Sequence, residues 1–154
     1  MIVRTRPATQ NDLSILREFE QGIISAERPY DHMLRPDPIS YYDIGILIEA
    51  DDAEVIVAEV DGVLVGSGYV KKKRSRHYVQ PAYHAFIGFL YVVPDYRGLG
   101  INKLVLDKLH AWARHHNLPE IHLTVYPGNA SAIRAYEKAG YSSYILEMRH
   151  NLDE

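Results

Sequence analysis

Hydrophobic and polar positions repeat with two different periods along the chain, and the changes of period predict the order of its elements. Alternation at every second position, as over residues 2–6, is typical of a half-buried strand. Spacing of three or four residues, as at Leu13 and Leu16 after Thr9 and Asp12, is typical of a capped helix. The predicted elements are, in chain order, a strand over residues 2–6, a helix that starts at residues 9–12, a loop or broken helix over 26–39, a helix over 40–50, strands over 54–60, 63–70 and 83–93, a helix over 98–116, a strand over 121–126, a helix over 129–139 and a strand over 142–150.

Two stretches carry the clearest local signals. Asp61-Gly62 stands between two β-rich runs, and this dipeptide predicts a tight hairpin. The helix over residues 98–116 carries one apolar stripe, which is formed by Ile101, Leu104, Val105, Leu109 and Trp112. The order β-α-α-β-β-β-α-β-α-β predicts one mixed α/β (α+β) domain over residues 1–154.

Composition narrows the class of protein. The chain has 154 residues, of which 47% are hydrophobic and 24% charged, and this balance is that of an ordinary globular domain. A formal net charge of −3 argues against a general attraction to nucleic acid. No apolar run approaches the roughly 18 residues of a membrane span, so no membrane partner is expected. The absence of cysteine excludes a disulfide framework, a thiolate nucleophile and a cysteine-based zinc site, and it favours a reducing, cytoplasmic location.

Residues 90–102 carry the densest chemical signal, because an apolar strand ends at Pro94 and a glycine turn opens directly into a helix. Gly98 and Gly100 let the backbone approach a ligand closely, and the unpaired N–H groups of the first helical turn favour an anion. The expected guest is a phosphate or pyrophosphate group. Lys103 is not followed by Ser or Thr, and it occupies the place of the third glycine of a dinucleotide loop, so both of the better-known phosphate loops are excluded.

Two motifs in the right order resemble the signatures of the GNAT N-acetyltransferase superfamily. Arg97-x-x-Gly100-x-Asn102 is similar to the acyl-CoA signature of the family, which usually ends in Gly or Ala where this chain has Asn102. Residues 129–141 are similar to the second signature, Asn-x-x-Ala-x-x-x-Tyr-x-x-x-Gly-Tyr. The resemblance covers nearly the whole chain and implies a single-domain acyl-CoA N-acyltransferase fold, whose mixed central sheet has a splayed strand edge.

The resemblance also implies roles for individual residues, with acetyl-CoA as the co-substrate. The strand backbone pairs with the pantetheine amides, and the turn binds the pyrophosphate chiefly through its own amides. Asn129 caps its helix and contacts the cofactor, and Tyr136, two turns further on the same face, protonates the departing thiolate as a general acid. The implied cofactor-binding residues are Leu90, Tyr91, Val92, Arg97, Gly98, Leu99, Gly100, Ile101, Asn102, Lys103 and Asn129.

The general base stays open among several candidates. Thr124 stands where some relatives place a Glu on the strand, and a threonine hydroxyl cannot serve as the base. The alternatives are His84, His122, Tyr126 and an ordered water chain without a single base.

Two further clusters receive ordinary interpretations. The basic residues in 71–76 lie between predicted strands and are interpreted as a solvated hairpin end. No metal is expected, because His110 and His115 on the long helix are five residues apart, rather than four, and lack an acidic partner at useful spacing.

The function that follows from the resemblance is transfer of the acetyl group of acetyl-CoA to a primary amine by direct attack in a ternary complex. The alternative is a catalytically silent CoA-binding sensor or interaction module, for which Tyr136 would be dispensable. The acceptor is a small-molecule amine or a protein or peptide amine, read by the first two helices and their loop. The identity of the acceptor, the acyl chain preference and the oligomeric state stay open, and a homodimer is compatible with an exposed C-terminal strand.

Overall fold

A computed structural model describes residues 1–154, which form two compact units, residues 1–124 and residues 125–154. The first unit contains, in chain order, β1 (Val3–Pro7), α1 (Leu13–Glu27), α2 (Ile44–Glu49), β2 (Ala53–Val60), β3 (Val63–Arg74), β4 (Tyr83–Val92), α3 (Ile101–His115) and β5 (Ile121–His122). The second unit contains α4 (Ala130–Lys138). None of the four helices combines the length and the apolar composition that a membrane span requires.

The five strands form one mixed sheet in the order β1-β2-β3-β4-β5. The first four pair antiparallel, and β5 pairs parallel to β4. The hairpin predicted between β2 and β3 is confirmed: Asp61 and Gly62 have φ angles of 51° and 79°, and two successive positive φ angles are typical of the type I′ turn that matches strand twist.

The two faces of the sheet bury different kinds of side chain. One face packs against α3 through aliphatic residues such as Ile101, Val105 and Leu109, each at most 1% exposed. The other face packs against α1 and α2 and is rich in aromatic residues, including Phe19, Tyr69, Phe89 and the partly buried Tyr41, Tyr42 and Tyr91. The predicted stripe of α3 is correct except at Leu104, which is 41% exposed, whereas Leu106 on the other flank is buried.

The start of α1 confirms the cap predicted from Thr9 and Asp12. The Asp12 carboxylate accepts a hydrogen bond from the Thr9 backbone N–H at 2.8 Å. It also receives two hydrogen bonds from the Arg6 guanidinium, at 2.8 and 3.0 Å. The Arg6 hydrogen bond is the largest cause that lowers the pKa of Asp12, so the cap is charged at neutral pH.

A bulge interrupts β4 and reverses which side chains face each side of the sheet. Ser67 pairs with Tyr91 and Tyr69 with Gly88, so two residues of β4 oppose one residue of β3. Phe89, inside this bulge, has a φ angle of 59°, which is rare for a non-glycine residue. The buried Ser67 hydroxyl donates a hydrogen bond of 3.0 Å to the Phe89 carbonyl oxygen and holds the bulge in place.

The splayed edge that the resemblance implied lies on the β5 side of β4. Pairing between the two strands is confined to Ala85 with Ile121 and Phe86 with His122. From residue 87 onward the outer edge of β4 has no ladder to β5, so the pairing of the sheet stops there on that side.

Two sequence predictions about strands are wrong. Residues 142–150 form no strand, and their large apolar side chains stay exposed, from 62% at Tyr144 to 84% at Met148. The strand predicted over 121–126 ends at His122 because β4 diverges there. A strand exists only through its ladder to a neighbour, and a favourable local pattern cannot supply that neighbour.

A pair of helix glycines tests how tightly α1 packs on β4. A Cβ added at Gly22 in α1 would lie 2.8 Å from the Tyr91 ring, whereas one at Gly45 in α2 would meet Leu13 at an ordinary 3.6 Å. Alanine is about 1 kcal/mol better than glycine inside a helix, so we expect Gly45→Ala to raise the free energy of unfolding by up to that amount. In Gly22→Ala the added methyl group displaces the Tyr91 ring from Phe19, and we expect the cost of this displacement to cancel the gain. Denaturant unfolding of both variants measures the two free energies of unfolding. Equal stabilisation by both substitutions would contradict this packing.

Candidate functional site

The turn between β4 and α3 leaves open space in front of its two glycines. After a short 3-10 turn over Pro94–Tyr96, Gly98 and Gly100 have φ angles of 77° and 80°. A Cβ built on either glycine would find no atom within 4 Å. Both residues and Leu99 between them are exposed, so the backbone here can be approached from solvent.

The N-terminus of α3 has no side-chain cap. Gly100 is the N-cap residue, and the first helical bond runs from the Leu104 N–H to the Gly100 carbonyl. The N–H groups of the first helical turn therefore have no partner within the helix and can bind an anion. The Ile101 side chain is buried in the core, and Lys103 pairs with Asp107 at 2.9 Å, so this turn offers backbone groups rather than a free cation.

The end of β4 likewise presents its backbone, because its side chains have other contacts. Leu90 and Val92 pack against the core beside α3. Tyr91 faces the opposite side, with its ring 5.0 Å from the Phe19 ring. Arg97 donates a hydrogen bond of 2.9 Å from Nε to the Val92 carbonyl oxygen, and this bond ties the turn to the strand. An open strand edge, two unobstructed glycines and an uncapped helix N-terminus suit the amide arm and the phosphates of an acyl-CoA.

Asn129 and Tyr136 lie in the second unit, where α4 begins and ends with recognisable caps. The Asn129 side chain accepts a hydrogen bond from the Ala132 N–H at 3.3 Å, which confirms its predicted capping role. At the other end Gly140 has a φ angle of 101°, and the Tyr141 N–H bonds to the Tyr136 carbonyl at 3.0 Å. This is a Schellman cap, and the Tyr136 and Tyr141 rings make its side-chain contact at 5.9 Å.

The second signature therefore has a structural reason as well as the implied chemical one. Its glycine occupies the one position of the cap that needs a positive φ, and its last aromatic residue packs on Tyr136. Burial is the largest cause that raises the pKa of Tyr141 to about 12, and the neighbouring Tyr136 adds to it. The cap thus restricts where the Tyr136 ring lies relative to its helix.

Two of the candidate bases lie together at the point where β4 and β5 separate. The His84 and His122 rings are 4.2 Å apart. The Nδ1 atom of His84 lies 2.8 Å from Ser75 Oγ, and the Nε2 atom of His122 lies 3.1 Å from Glu120 Oε1. Burial is the largest cause that lowers the pKa of His84. The neighbouring His122 and Lys73 lower this pKa further, whereas Glu120 raises it. His84 is thus neutral at pH 7 and able to accept a proton.

Sequence reasoning missed the bulge at Phe89 and the contacts of the basic run. The nearest sequence signal for the bulge is Gly88, where a Cβ would lie 2.6 Å from the Tyr69 ring. The basic residues of 71–76 are mostly exposed, as expected, but residues 71–74 belong to β3 rather than lying between strands, and Lys72 and Lys73 lie over the Tyr83 and Phe86 rings at 4.3 and 4.5 Å. No group of three or more His, Cys, Asp or Glu residues is arranged to hold a metal ion.

Comparisons with known proteins place the chain in a family. The Acetyltransferase (GNAT) family profile matches residues 18–141. An acetyltransferase of Pectobacterium atrosepticum is 33% identical over 129 residues, which cover 82% of each chain. The chain belongs to the GNAT acetyltransferase family and is therefore an acyltransferase.

Solved structures confirm the fold class. A predicted acetyltransferase from Clostridium acetobutylicum, crystallised with acetyl-CoA, aligns with a TM-score of 0.73 at 19% identity and covers 98% of this chain and 97% of its own. Glucosamine-6-phosphate N-acetyltransferase from Arabidopsis thaliana aligns with a TM-score of 0.69 at 18% identity, covering 99% of this chain and 100% of its own. The mixed sheet is thus that of the acyl-CoA N-acyltransferase fold.

The lowered pKa of His84 predicts a pH-dependent stability. His84 binds a proton more readily in the unfolded chain than in the folded one. The free energy of unfolding therefore falls as the pH drops below about 6.5, the ordinary pKa of histidine. We expect His84→Gln to lose less stability than the wild type between about pH 7.5 and about pH 5. The exposed His77, changed to Gln, is the matched control and should keep the wild-type slope in denaturant unfolding. Identical slopes for all three proteins would contradict the assignment.

Proposed function

We propose that the chain transfers the acetyl group of acetyl-CoA to a primary amine by direct attack in a ternary complex, with residues 1–154 acting as one N-acetyltransferase domain. One observation supports this above all others. The open edge of β4 runs directly into two glycines at positive φ and the uncapped N-terminus of α3. The acetyl-CoA named with the Clostridium neighbour supports the same co-substrate.

The proposed site binds acetyl-CoA mainly through main-chain groups. The backbone of Leu90, Tyr91 and Val92 binds the amides of the pantetheine arm. The amides of the turn and the first turn of α3 bind the pyrophosphate, and the helix dipole favours its charge. The residues assigned to the pyrophosphate are Arg97, Gly98, Leu99, Gly100, Ile101, Asn102 and Lys103.

Tyr136 is the proposed general acid, and Asn129 is the residue of the second unit that contacts acetyl-CoA. The attacking nitrogen forms a bond to the carbonyl carbon, the carbon–sulfur bond breaks, and the Tyr136 hydroxyl gives its proton to the departing thiolate. The nitrogen gives up a proton to water, to His84 or His122, or to Tyr126. A backbone N–H near Tyr91 stabilises the carbonyl oxygen while its negative charge develops.

The acceptor class rests on the family and on the named chemistry of its members. The Arabidopsis neighbour is named for acetylating glucosamine 6-phosphate, and the acceptor we propose here is a primary amine of a small molecule or of a protein or peptide. A cytoplasmic location and a homodimer stay predictions.

Two glycines with nearly equal φ angles test the phosphate site. Gly100 and Gly62 have φ angles of 80° and 79°, and both face open space, so Trp at either position meets the same strain of about 1–2 kcal/mol. We expect Gly100→Trp to abolish acetyl-CoA binding in calorimetry, because the indole covers the N-terminus of α3, while Gly62→Trp binds like the wild type. Unchanged affinity in Gly100→Trp would remove the assignment.

Replacing Tyr136 by Phe keeps the ring and its contact with Tyr141 but deletes the proton. We expect kcat to fall by roughly 10²–10⁴ with nearly constant acetyl-CoA affinity, and the loss to shrink for an acyl donor with a more acidic thiol. Tyr141→Phe is the matched control, since it deletes a hydroxyl beside the same ring, and it should turn over at close to the wild-type rate. Wild-type turnover in Tyr136→Phe would indicate that water protonates the departing thiolate. Loss of both acetyl-CoA binding and turnover would indicate that Tyr136 is a binding residue.

A further inference from the structure

The end of β3 and the start of β4 form a two-stranded ribbon that carries a cation at each of residues 71–74. Successive side chains of a strand alternate between its two faces. Tyr69 belongs to the aromatic core on the α1 and α2 side of the sheet, so Lys71 and Lys73 lie on that side as well. Lys72 lies on the opposite face, which further along the sheet packs on α3. Two of the cations thus share the side of the sheet that is assigned to the acceptor.

Aromatic rings direct these two lysines toward the bulge of β4. Lys73 pairs in register with His84, yet its Nζ atom lies 4.5 Å from the centroid of the Phe86 ring, two residues nearer to the bulge. Lys71 pairs with Phe86, and its Nζ atom lies 5.8 Å from the centroid of the Tyr69 ring, again on the bulge side. Both ammonium groups therefore lean from the ribbon toward the part of β4 where acetyl transfer is proposed.

Neither ammonium group has a carboxylate partner. Lys71 and Lys73 form no ion pair, although residues 51–52, both Asp, precede the residue of β2 that pairs with Lys71. The Glu120 carboxylate, close to the same face, accepts a hydrogen bond of 3.1 Å from the His122 ring. A ring contributes only about 0.5–1 kcal/mol to an exposed cation and leaves its charge in place. Two like charges on one face, with Cα atoms about 7 Å apart, therefore repel each other.

A ligand can reach this pair of cations from solvent. Lys73 is exposed, and Lys71 and the Phe86 ring are partly exposed. One anionic group between the two lysines compensates both charges and accepts charge-assisted hydrogen bonds, which are roughly twice as strong as neutral ones. The partly buried Lys71 is also less screened by salt than a lysine on an open surface.

We propose that Lys71 and Lys73 bind an anionic group of the acceptor, a phosphate or a carboxylate, while the primary amine of the same molecule is acetylated. This inference rests on the proposed function and narrows its acceptor to amines that carry a negative charge. Lys71 and Lys73 lie about 7 and 14 Å beyond Tyr69 along the strand, so the charge and the reacting nitrogen are on the order of 10 Å apart. The two lysines are specificity-determining residues and take no part in the bond changes.

The test compares aminoalkyl phosphates of increasing chain length with the uncharged amino alcohols of the same length, measuring thiol release from acetyl-CoA. We expect at least one phosphate to have a KM about ten- to hundredfold lower than its amino alcohol, the range that a hydrogen bond to a charged group contributes. Short peptides with a free N-terminal amine and either Glu or Gln further along test a carboxylate in the same way. A preference in one series and not in the other identifies which anion the lysines bind.

Substitution on the two faces of the ribbon separates a specific site from general attraction. Lys71→Gln and Lys73→Gln should each raise the KM for the preferred anionic amine about tenfold and leave the KM for its uncharged partner unchanged. Lys72→Gln is the matched control, because it removes the same charge from the same strand, and its side chain also lies over a ring, that of Tyr83, but on the other face. It should keep both wild-type KM values. An equal rise of KM in all three variants would show diffuse attraction by the ribbon and overturn the site.

Denaturant unfolding separates binding from a structural role. Removing one of two like charges should leave the free energy of unfolding unchanged or raise it, while the KM for the anionic amine rises. A structural role alone would lower the stability of Lys71→Gln and Lys73→Gln and leave the ratio of the two KM values unchanged.

The possible failures are distinguishable. Equal KM for charged and uncharged amines in both series, or a preference that survives in Lys71→Gln and Lys73→Gln, overturns the anion site and leaves the proposed function standing. Absence of transfer to any amine overturns both.

Discussion

The bulge at Phe89 is the constraint on which the rest of the site depends. A non-glycine residue at positive φ costs of order 1–3 kcal/mol and persists only where its surroundings hold it. Here the buried Ser67 hydroxyl binds its carbonyl, and Tyr42 packs on its ring. Because of the extra residue, Leu90 and Val92 turn toward α3, and Tyr91 turns toward α1. One interaction therefore determines which side chains at the end of β4 face α3 and which face α1.

Main-chain groups dominate the proposed cofactor site, whereas its side chains mostly serve the fold. Ile101 belongs to the core, Lys103 pairs with Asp107, and Arg97 binds the strand backbone. This division explains why Asn102 can stand where the family usually has Gly or Ala. A site built from N–H groups tolerates a change of side chain as long as the backbone keeps its direction.

Local chemistry could be predicted from the sequence, and pairing between distant segments could not. Asp61-Gly62 and Asn129 act through their own neighbours, so their turn and cap were predictable from the letters alone. Residues 142–150 have the composition of a strand but no neighbouring strand to pair with. The apolar stripe of α3 does not show which of its two flanks is buried, and for this reason the prediction for Leu104 is wrong. The contact between the His84 and His122 rings depends on a parallel pairing of strands that no local pattern contains.

The unpaired edge of β4 has a consequence for the life of the chain in a crowded solution. An unpaired strand edge is a template onto which a strand of another molecule can add, and along residues 87–92 this one carries no charge and no proline, so the bulge at Phe89 is the feature there that discourages addition. A bound molecule that occupies the edge blocks such addition and stabilises the folded chain by mass action. In the proposed site that molecule is acetyl-CoA, so its supply then affects the solubility of the chain.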